Sequence, residues 1–211
     1  IPIVMTSGFK LSGRFVMEGG VPSGNNSRLQ FPAVSVARDL EVMDMPTGFI
    51  SRNLTMANTD GSFTLQSVPP GDFRVVFRRF PGQGYIKSMR MGSTDVLNDG
   101  LSVSGPPDGM LEIVIGTNAG RIEGSVVNSR NEVLPNRTVV LVPDVRFRQR
   151  SELYKAVCTD NAGRFQMQGI APGDYKLFAW ENVETDAWQD PNFIQAYENT
   201  GRPIRINEGS T

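Results

Sequence analysis

Short runs of apolar residues that alternate with polar ones recur along the chain and predict β-strands. Residues 63–67 and 165–169 each begin with apolar side chains at alternate positions, the period at which one face of a strand points into a core. Another apolar run follows each of them closely, at residues 73–77 and 175–177. Glycine- and proline-rich turns separate the runs, a pattern typical of β-sandwiches.

The chain contains this arrangement twice, because residues 63–75 align with residues 165–177 without a gap. In both copies a Pro-Gly-Asp sequence follows the first strand, and its Pro-Gly pair predicts a type II turn that joins two strands into a hairpin. The next residue, Phe73 or Tyr175, is placed to pack across the end of a sandwich as a tyrosine corner does. A turn that contains Asp and a positive-φ Gly precedes each copy, and we predict it to be two residues shorter in the first.

A second repeated element lies upstream of each copy. Residues 11–16 match residues 122–127, and both segments are predicted to be opening strands. Each contains a glycine, Gly13 or Gly124, which marks a bulge or a close approach of two backbones. The order of strands is therefore repeated together with the motif.

The pattern also indicates where modules begin and end. Apolar residues 3–7 precede the first opening strand as residues 113–117 precede the second, so residues 1–8 are predicted to be the closing strand of a preceding module or an edge strand. The first sandwich is predicted at residues 9–118 and the second at residues 119–211. The predicted fold class is all-β, with two tandem Ig-like or transthyretin-like β-sandwich domains from a longer array.

The second copy resembles the carboxypeptidase regulatory-like family, whose modules have a transthyretin-like or prealbumin-like fold. The residues that carry the resemblance are Gly124, Val126, Asp160, Gly163, Phe165, Gly169, Ile170, Pro172, Gly173, Asp174 and Tyr175. The first copy matches more loosely. The resemblance implies a non-catalytic β-sandwich of the kind attached to secreted peptidases, outer-membrane transporters or large bacterial surface proteins.

Composition narrows the chemistry that the chain can perform. It has 21 Lys and Arg against 22 Asp and Glu, a net charge of −1, so no long-range field attracts nucleic acid. No apolar run approaches the length of about 20 residues that a membrane-spanning helix needs. The chain has no histidine, which excludes Ser-His-Asp and Cys-His catalysis and His-based metal sites. We therefore predict a non-enzymatic protein with no catalytic residues and no cofactor.

The single cysteine, Cys158, can form no disulfide within the chain. It ends the run of residues 155–158, which favours a small buried side chain on a strand because free cysteines are usually buried. A redox thiol or a bridge to another chain is the alternative interpretation.

An acidic segment follows the strand at Tyr175. Glu184, Asp186 and Asp190 lie close together in it, and several carboxylates on one loop can bind Ca²⁺ through hard oxygen ligands. Their spacing matches no EF-hand, so a solvated acidic loop is the favoured interpretation and no metal site is predicted. Hydrolytic chemistry would need Glu184 and Asp190 to face one cleft as a pair.

The same segment is rich in aromatic residues, namely Trp180, Trp188, Phe193 and Tyr197. Aromatic rings can stack on the flat apolar faces of sugars, so these four residues are candidates for contact with a glycan or a protein partner. In the alternative interpretation, the aromatic residues are buried and pin a long loop against the sandwich.

These observations predict a non-catalytic structural or assembly module of an extracellular or cell-surface bacterial protein, part of a filament or stalk. The predicted location is extracytoplasmic. The predicted partners are neighbouring modules of the same polypeptide or other copies of the chain. The alternative is a carbohydrate-binding module that uses the aromatic segment 180–197.

Overall fold

The computed structural model describes residues 8–19, 31–38, 54–78 and 84–211. The closing strand predicted at residues 1–8 lies almost wholly outside them. The described residues form two compact units divided after Thr117, except that a short stretch ending at Tyr85 groups with the second unit. Both units are built from strands, which confirms the all-β prediction.

Unit 1 is a sandwich of two sheets. Its strands are β1 (Phe9–Met17), β2 (Ala33–Ala37), β3 (Ser62–Val68), β4 (Gly71–Arg78), β5 (Tyr85–Met91), β6 (Thr94–Asp95), β7 (Leu101–Val103) and β8 (Leu111–Gly116), with a one-turn helix α1 (Val96–Asp99) before β7. One sheet has the order β3-β1-β8-β5-β6 and the other the order β2-β4-β7. Strand β1 pairs antiparallel with β3 and parallel with β8. The core lies between the sheets, around Leu11, Leu65 and Ile113.

Unit 2 repeats part of this arrangement. It contains β9 (Gly120–Ser125), β10 (Thr138–Pro143), β11 (Lys155–Cys158), β12 (Arg164–Ile170), β13 (Gly173–Trp180) and β14 (Arg202–Ile206), the helix α2 (Pro191–Tyr197), and the 3-10 turns η1 (Val145–Phe147), η2 (Ser151–Leu153) and η3 (Ala187–Gln189). One sheet has the order β11-β10-β13-β14, and β12 pairs with β9 in a second sheet.

The duplicated sequence occupies equivalent positions in the two units. Gly13 of β1 lies opposite Phe63 of β3, and Gly124 of β9 lies opposite Phe165 of β12. In both pairs the Phe ring covers the glycine, because a Cβ on Gly13 would lie 2.2 Å from the Phe63 ring and a Cβ on Gly124 would lie 2.8 Å from the Phe165 ring. The glycines therefore mark a close approach to an aromatic ring across the ladder, where the sequence predicted a bulge or a close approach of two backbones.

The predicted hairpin is wrong, because the strands that flank Pro-Gly belong to different sheets in both units. Gly71 and Gly173 have φ of 145° and 159°, far from the value of about +80° that the second central residue of a type II turn requires. They are the first residues of β4 and β13. The left-handed residue lies earlier, at Ser67 (φ 54°) and Gly169 (φ 66°), where the ladder register shifts. The chain thus bends out of one sheet and enters the other.

The turn that precedes β3 and β12 has the same length in both units, contrary to the prediction. The backbone N–H groups of Asn58 and Asp160 each donate to the carbonyl four residues later, at 2.8 Å in both cases. Gly61 and Gly163 follow with φ of 83° and 69°. Asn58 therefore takes the place of Asp160, and the alignment needs no gap here.

Tyr175 forms the corner contact that its position predicted. Its hydroxyl donates a 2.9 Å hydrogen bond to the Ala171 carbonyl within the buried core, and burial raises the pKa of the phenol. The equivalent Phe73 fills the same place without a hydroxyl. The bond is therefore a feature of unit 2 that the repeat does not require.

Replacing Tyr175 with phenylalanine is expected to lower the free energy of unfolding by about 1–3 kcal/mol, because it leaves a buried carbonyl without its donor. Chemical denaturation of the full chain measures the change. Tyr197→Phe is the control, because Tyr197 is 36% exposed and its hydroxyl can bond to water. Equal stability changes for the two variants would contradict the assigned role of the corner bond.

Candidate functional site

The two units differ at the edge of β9. Within the part of the chain that the structure describes, β9 pairs with β12 alone, whereas the equivalent β1 has a neighbour on both sides. A groove of about 870 Å³ opens along the unpaired side. We call it the β9 groove. It is lined by residues Glu123, Gly124, Ser125, Val126, Val127, Val139, Phe165, Leu177, Phe178, Ala179, Trp180, Tyr197, Thr200, Arg202, Pro203 and Ile204.

The β9 groove has an apolar interior. The edge of β9 that faces it forms a ladder with no strand in the described segments, although the Arg121 backbone N–H donates a 2.8 Å hydrogen bond to the Ser210 carbonyl. Val126, Phe165, Leu177 and Ile204 are half-buried and pack against the core of unit 2. Among its lining residues only Glu123 and Arg202 carry a formal charge at neutral pH. A strand edge next to an apolar trough can bind an extended chain, through backbone hydrogen bonds and through every second side chain.

The structure places Trp188 in a core, away from the surface predicted to contact a glycan. Its side chain is 6% exposed and packs in a cluster with Phe178 and Ile194. It lies on η3, in the segment between β13 and β14. Trp188 therefore holds this segment to the sandwich and cannot present a ring face to a ligand.

The other three candidate aromatic residues contact one another. Trp180 stacks on Phe178 with ring centroids 5.2 Å apart and an interplanar angle of 6°. Phe193 and Tyr197 lie 5.8 and 5.6 Å from the Trp180 ring, tilted and edge-on respectively. These contacts hold the segment together, although Tyr197 is 36% exposed. The carbohydrate-binding alternative gains no support.

Two acidic side chains of this segment accept hydrogen bonds from residues close to them in the chain. Asp190 caps α2 by accepting a 2.8 Å hydrogen bond from the Asn192 backbone, and Asp186 accepts one from Gln189 at 3.1 Å. No three His, Cys, Asp or Glu side chains come together in a metal-binding group in the described ranges, the candidates Glu184, Asp186 and Asp190 included.

A cluster around Glu198 fixes the end of α2. The carboxylate accepts hydrogen bonds from Lys176 of β13 at 2.5 Å and from Arg148 at 2.6 Å. These two bonds hold the pKa of Glu198 below its usual value, and the bond from Lys176 has the larger effect. Sequence patterns gave no indication of this cluster, because its members are far apart in the chain.

Cys158 is exposed at the end of β11, so the prediction of a buried cysteine is wrong. The strand alternates exposed and half-buried residues, and Cys158 takes an outward position. Its neighbour Thr159 is the residue that turns inward, at 3% exposure, where its hydroxyl donates to the Leu134 carbonyl.

None of the helices in the described segments is long and apolar enough to cross a membrane. No protein-family model and no curated protein sequence matches the chain, so the carboxypeptidase regulatory-like resemblance remains a prediction.

The chain is similar to several pilins of known structure. A streptococcal ancillary pilin has 16% identity and a TM-score of 0.35; the match covers 95% of this chain and 59% of the pilin. GBS52, a minor pilin of Streptococcus agalactiae, has 12% identity and a TM-score of 0.34; the match covers 96% of this chain and 92% of that pilin. The shaft pilin SpaA of Lactobacillus rhamnosus GG has 13% identity and a TM-score of 0.30; the match covers 98% of this chain and 96% of SpaA.

Proposed function

We propose that the chain is a non-catalytic structural module of an extracytoplasmic bacterial surface protein, part of a filament or stalk. The observation that carries this proposal is the duplication of one sandwich in a single chain. Gly13 and Phe63 in unit 1 recur as Gly124 and Phe165 in unit 2, with only residues 117–119 between β8 and β9. Repetition of a folded unit through short connections lengthens a protein without adding chemistry, which suits a spacer.

The side chains that could have supplied chemistry support the same proposal. Asp190 caps a helix, Trp188 fills a core, and Glu198 joins two basic residues. Each stabilises the segment between β13 and β14. The family resemblance in the second copy implies a non-catalytic surface module as well.

Immunogold labelling of intact source cells with antibodies against this chain tests the proposal. We expect label on the cell surface and loss of the epitope when intact cells are treated with a protease. A cytoplasmic protein, labelled in parallel, controls for broken cells. Label that appears only after lysis would rule out a surface structural role.

A further inference from the structure

Three aspartates of unit 1 are each followed by glycine, a sequence that can rearrange into isoaspartate. The pairs are Asp60-Gly61, Asp99-Gly100 and Asp108-Gly109. Glycine favours the rearrangement because it has no Cβ to hinder its own amide nitrogen. In a folded chain the reaction also requires that the carboxyl group and the next amide nitrogen are free to meet, and the three pairs differ in this respect.

The rearrangement needs only groups of adjacent residues and water. The glycine nitrogen attacks the carbon of the protonated aspartate carboxyl group, an intramolecular step that proximity makes fast. A C–N bond forms, the bond from carbon to the hydroxyl breaks, and the hydroxyl leaves with the amide proton as water. Water then reopens the five-membered imide. Opening at the side-chain carbonyl restores aspartate, whereas opening at the main-chain carbonyl leaves the backbone running through the side chain, which is isoaspartate.

Both reacting groups of the first pair are held by hydrogen bonds. The Asp60 carboxylate accepts from the Ser62 backbone N–H at 3.0 Å and from the Ser62 hydroxyl at 2.7 Å. These bonds, of which that from the hydroxyl has the larger effect, hold the pKa of Asp60 below its usual value, so the reactive protonated form is rarer. The Gly61 N–H donates to the Asn58 carbonyl at 3.0 Å. The turn before β3 therefore protects this pair.

The second pair is held at its amide nitrogen. The Gly100 N–H donates a 3.1 Å hydrogen bond to the Val96 carbonyl at the end of α1. A Cβ on Gly100 would lie 3.2 Å from the Phe73 carbonyl oxygen, so this glycine also packs against β4. The Asp99 side chain is exposed, but its attacking partner becomes available only when the end of α1 opens.

The third pair has both groups free. Asp108 and Gly109 lie in the connection between β7 and β8, and both are exposed. Within the described residues, the Asp108 carboxylate and the Gly109 N–H make no hydrogen bond or ion pair. A Cβ on Gly109 would have no neighbour, apart from the adjacent residues, nearer than the Gly92 nitrogen at 4.0 Å. The connection thus leaves room for the imide ring.

We propose that Asp108 is the residue at which the folded chain forms isoaspartate. This modification site goes beyond the proposed structural function and does not depend on it. The strands on both sides of the connection are anchored, since Val103 and Leu111 are 4% and 0% exposed. The additional backbone atom is therefore taken up in the connection, and the modification accumulates with time in a chain that stays folded.

Incubation of the folded full chain in mildly acidic buffer, in which part of the carboxyl groups is protonated, tests the proposal. Tryptic peptide 91–121 contains both Asp99 and Asp108, and electron-transfer fragmentation distinguishes isoaspartate from aspartate at each position. Isoaspartate is expected to form about five- to tenfold faster at Asp108 than at Asp99 or Asp60, because a hydrogen bond of ordinary strength must first open at those two sites. Similar rates at the three sites in the folded chain would overturn the proposal.

Two controls separate the folded geometry from the local sequence. Asp108→Glu would have to close a six-membered ring and is expected to lose most of the isoaspartate that protein-isoaspartate methyltransferase detects, whereas Asp60→Glu is expected to keep it. In urea the hydrogen bonds are gone, so the three sites are expected to react at similar rates. A lead for Asp108 that is as large in urea as in the folded chain would show that the structure does not select this site.

Discussion

Replacing Trp188 with alanine is expected to lower the free energy of unfolding of the chain by about 3–5 kcal/mol, the usual range for a buried Trp or Phe truncated to Ala. The indole is 6% exposed and packs with Phe178 and Ile194. Its loss leaves a cavity beneath the segment that connects β13 to β14. Chemical denaturation measures the change, and proteolysis within residues 181–201 is expected to become faster.

Phe193→Ala is the matched control, because Phe193 comes from the same segment and is only half-buried. Its stability loss is expected to be clearly smaller. If Trp188 were a sugar-binding residue on the surface, Trp188→Ala would abolish glycan binding and leave the fold unchanged. A stability loss below that of the control would contradict the burial assigned to Trp188.

Replacing Gly13 with alanine is expected to destabilise the chain by about 1–3 kcal/mol through overpacking. A Cβ at this position would lie 2.2 Å from the Phe63 ring and 2.8 Å from the Leu111 carbonyl oxygen. Phe63 is 3% exposed and β8 stands on the other side, so neither neighbour can yield. Thermal and chemical denaturation measure the loss.

Gly124→Ala makes the same change in unit 2 and is expected to cost less. The three nearest neighbours of its Cβ are atoms of the Phe165 ring, two of them at 2.8 Å, and this ring is half-buried beside the groove. The ring can therefore move aside, as Phe63 cannot. Equal losses for the two variants would indicate that the groove gives Phe165 no room.

The duplication could be predicted from sequence because it rests on residues with strong local requirements. Gly61 and Gly163 adopt positive φ, and the apolar residues beyond them alternate with the period of a strand. Which sheet a strand joins is decided by tertiary packing and not by the local sequence, so the strands that flank Pro-Gly were predicted to form a hairpin. The positive φ at Ser67 could not be predicted from sequence either, because serine is not a residue that marks such a conformation.

The candidate site was harder to predict for a related reason. An aromatic residue such as Trp188 suits a core or a surface equally well by composition, and only packing decides. The β9 groove lies beside a strand that pairs with β12 alone in the described residues, and strand pairing is decided by tertiary packing.

The parallel pairing of β1 with β8 has a mechanical consequence for unit 1. Because the first and last strands run side by side in the same direction, the polypeptide enters the unit at one end and leaves it at the opposite end. Tension applied to the two termini then acts along the strands, and all the interstrand hydrogen bonds between residues 13–17 and 111–115 must yield together rather than one after another. Such shear loading makes a sandwich resist stretching.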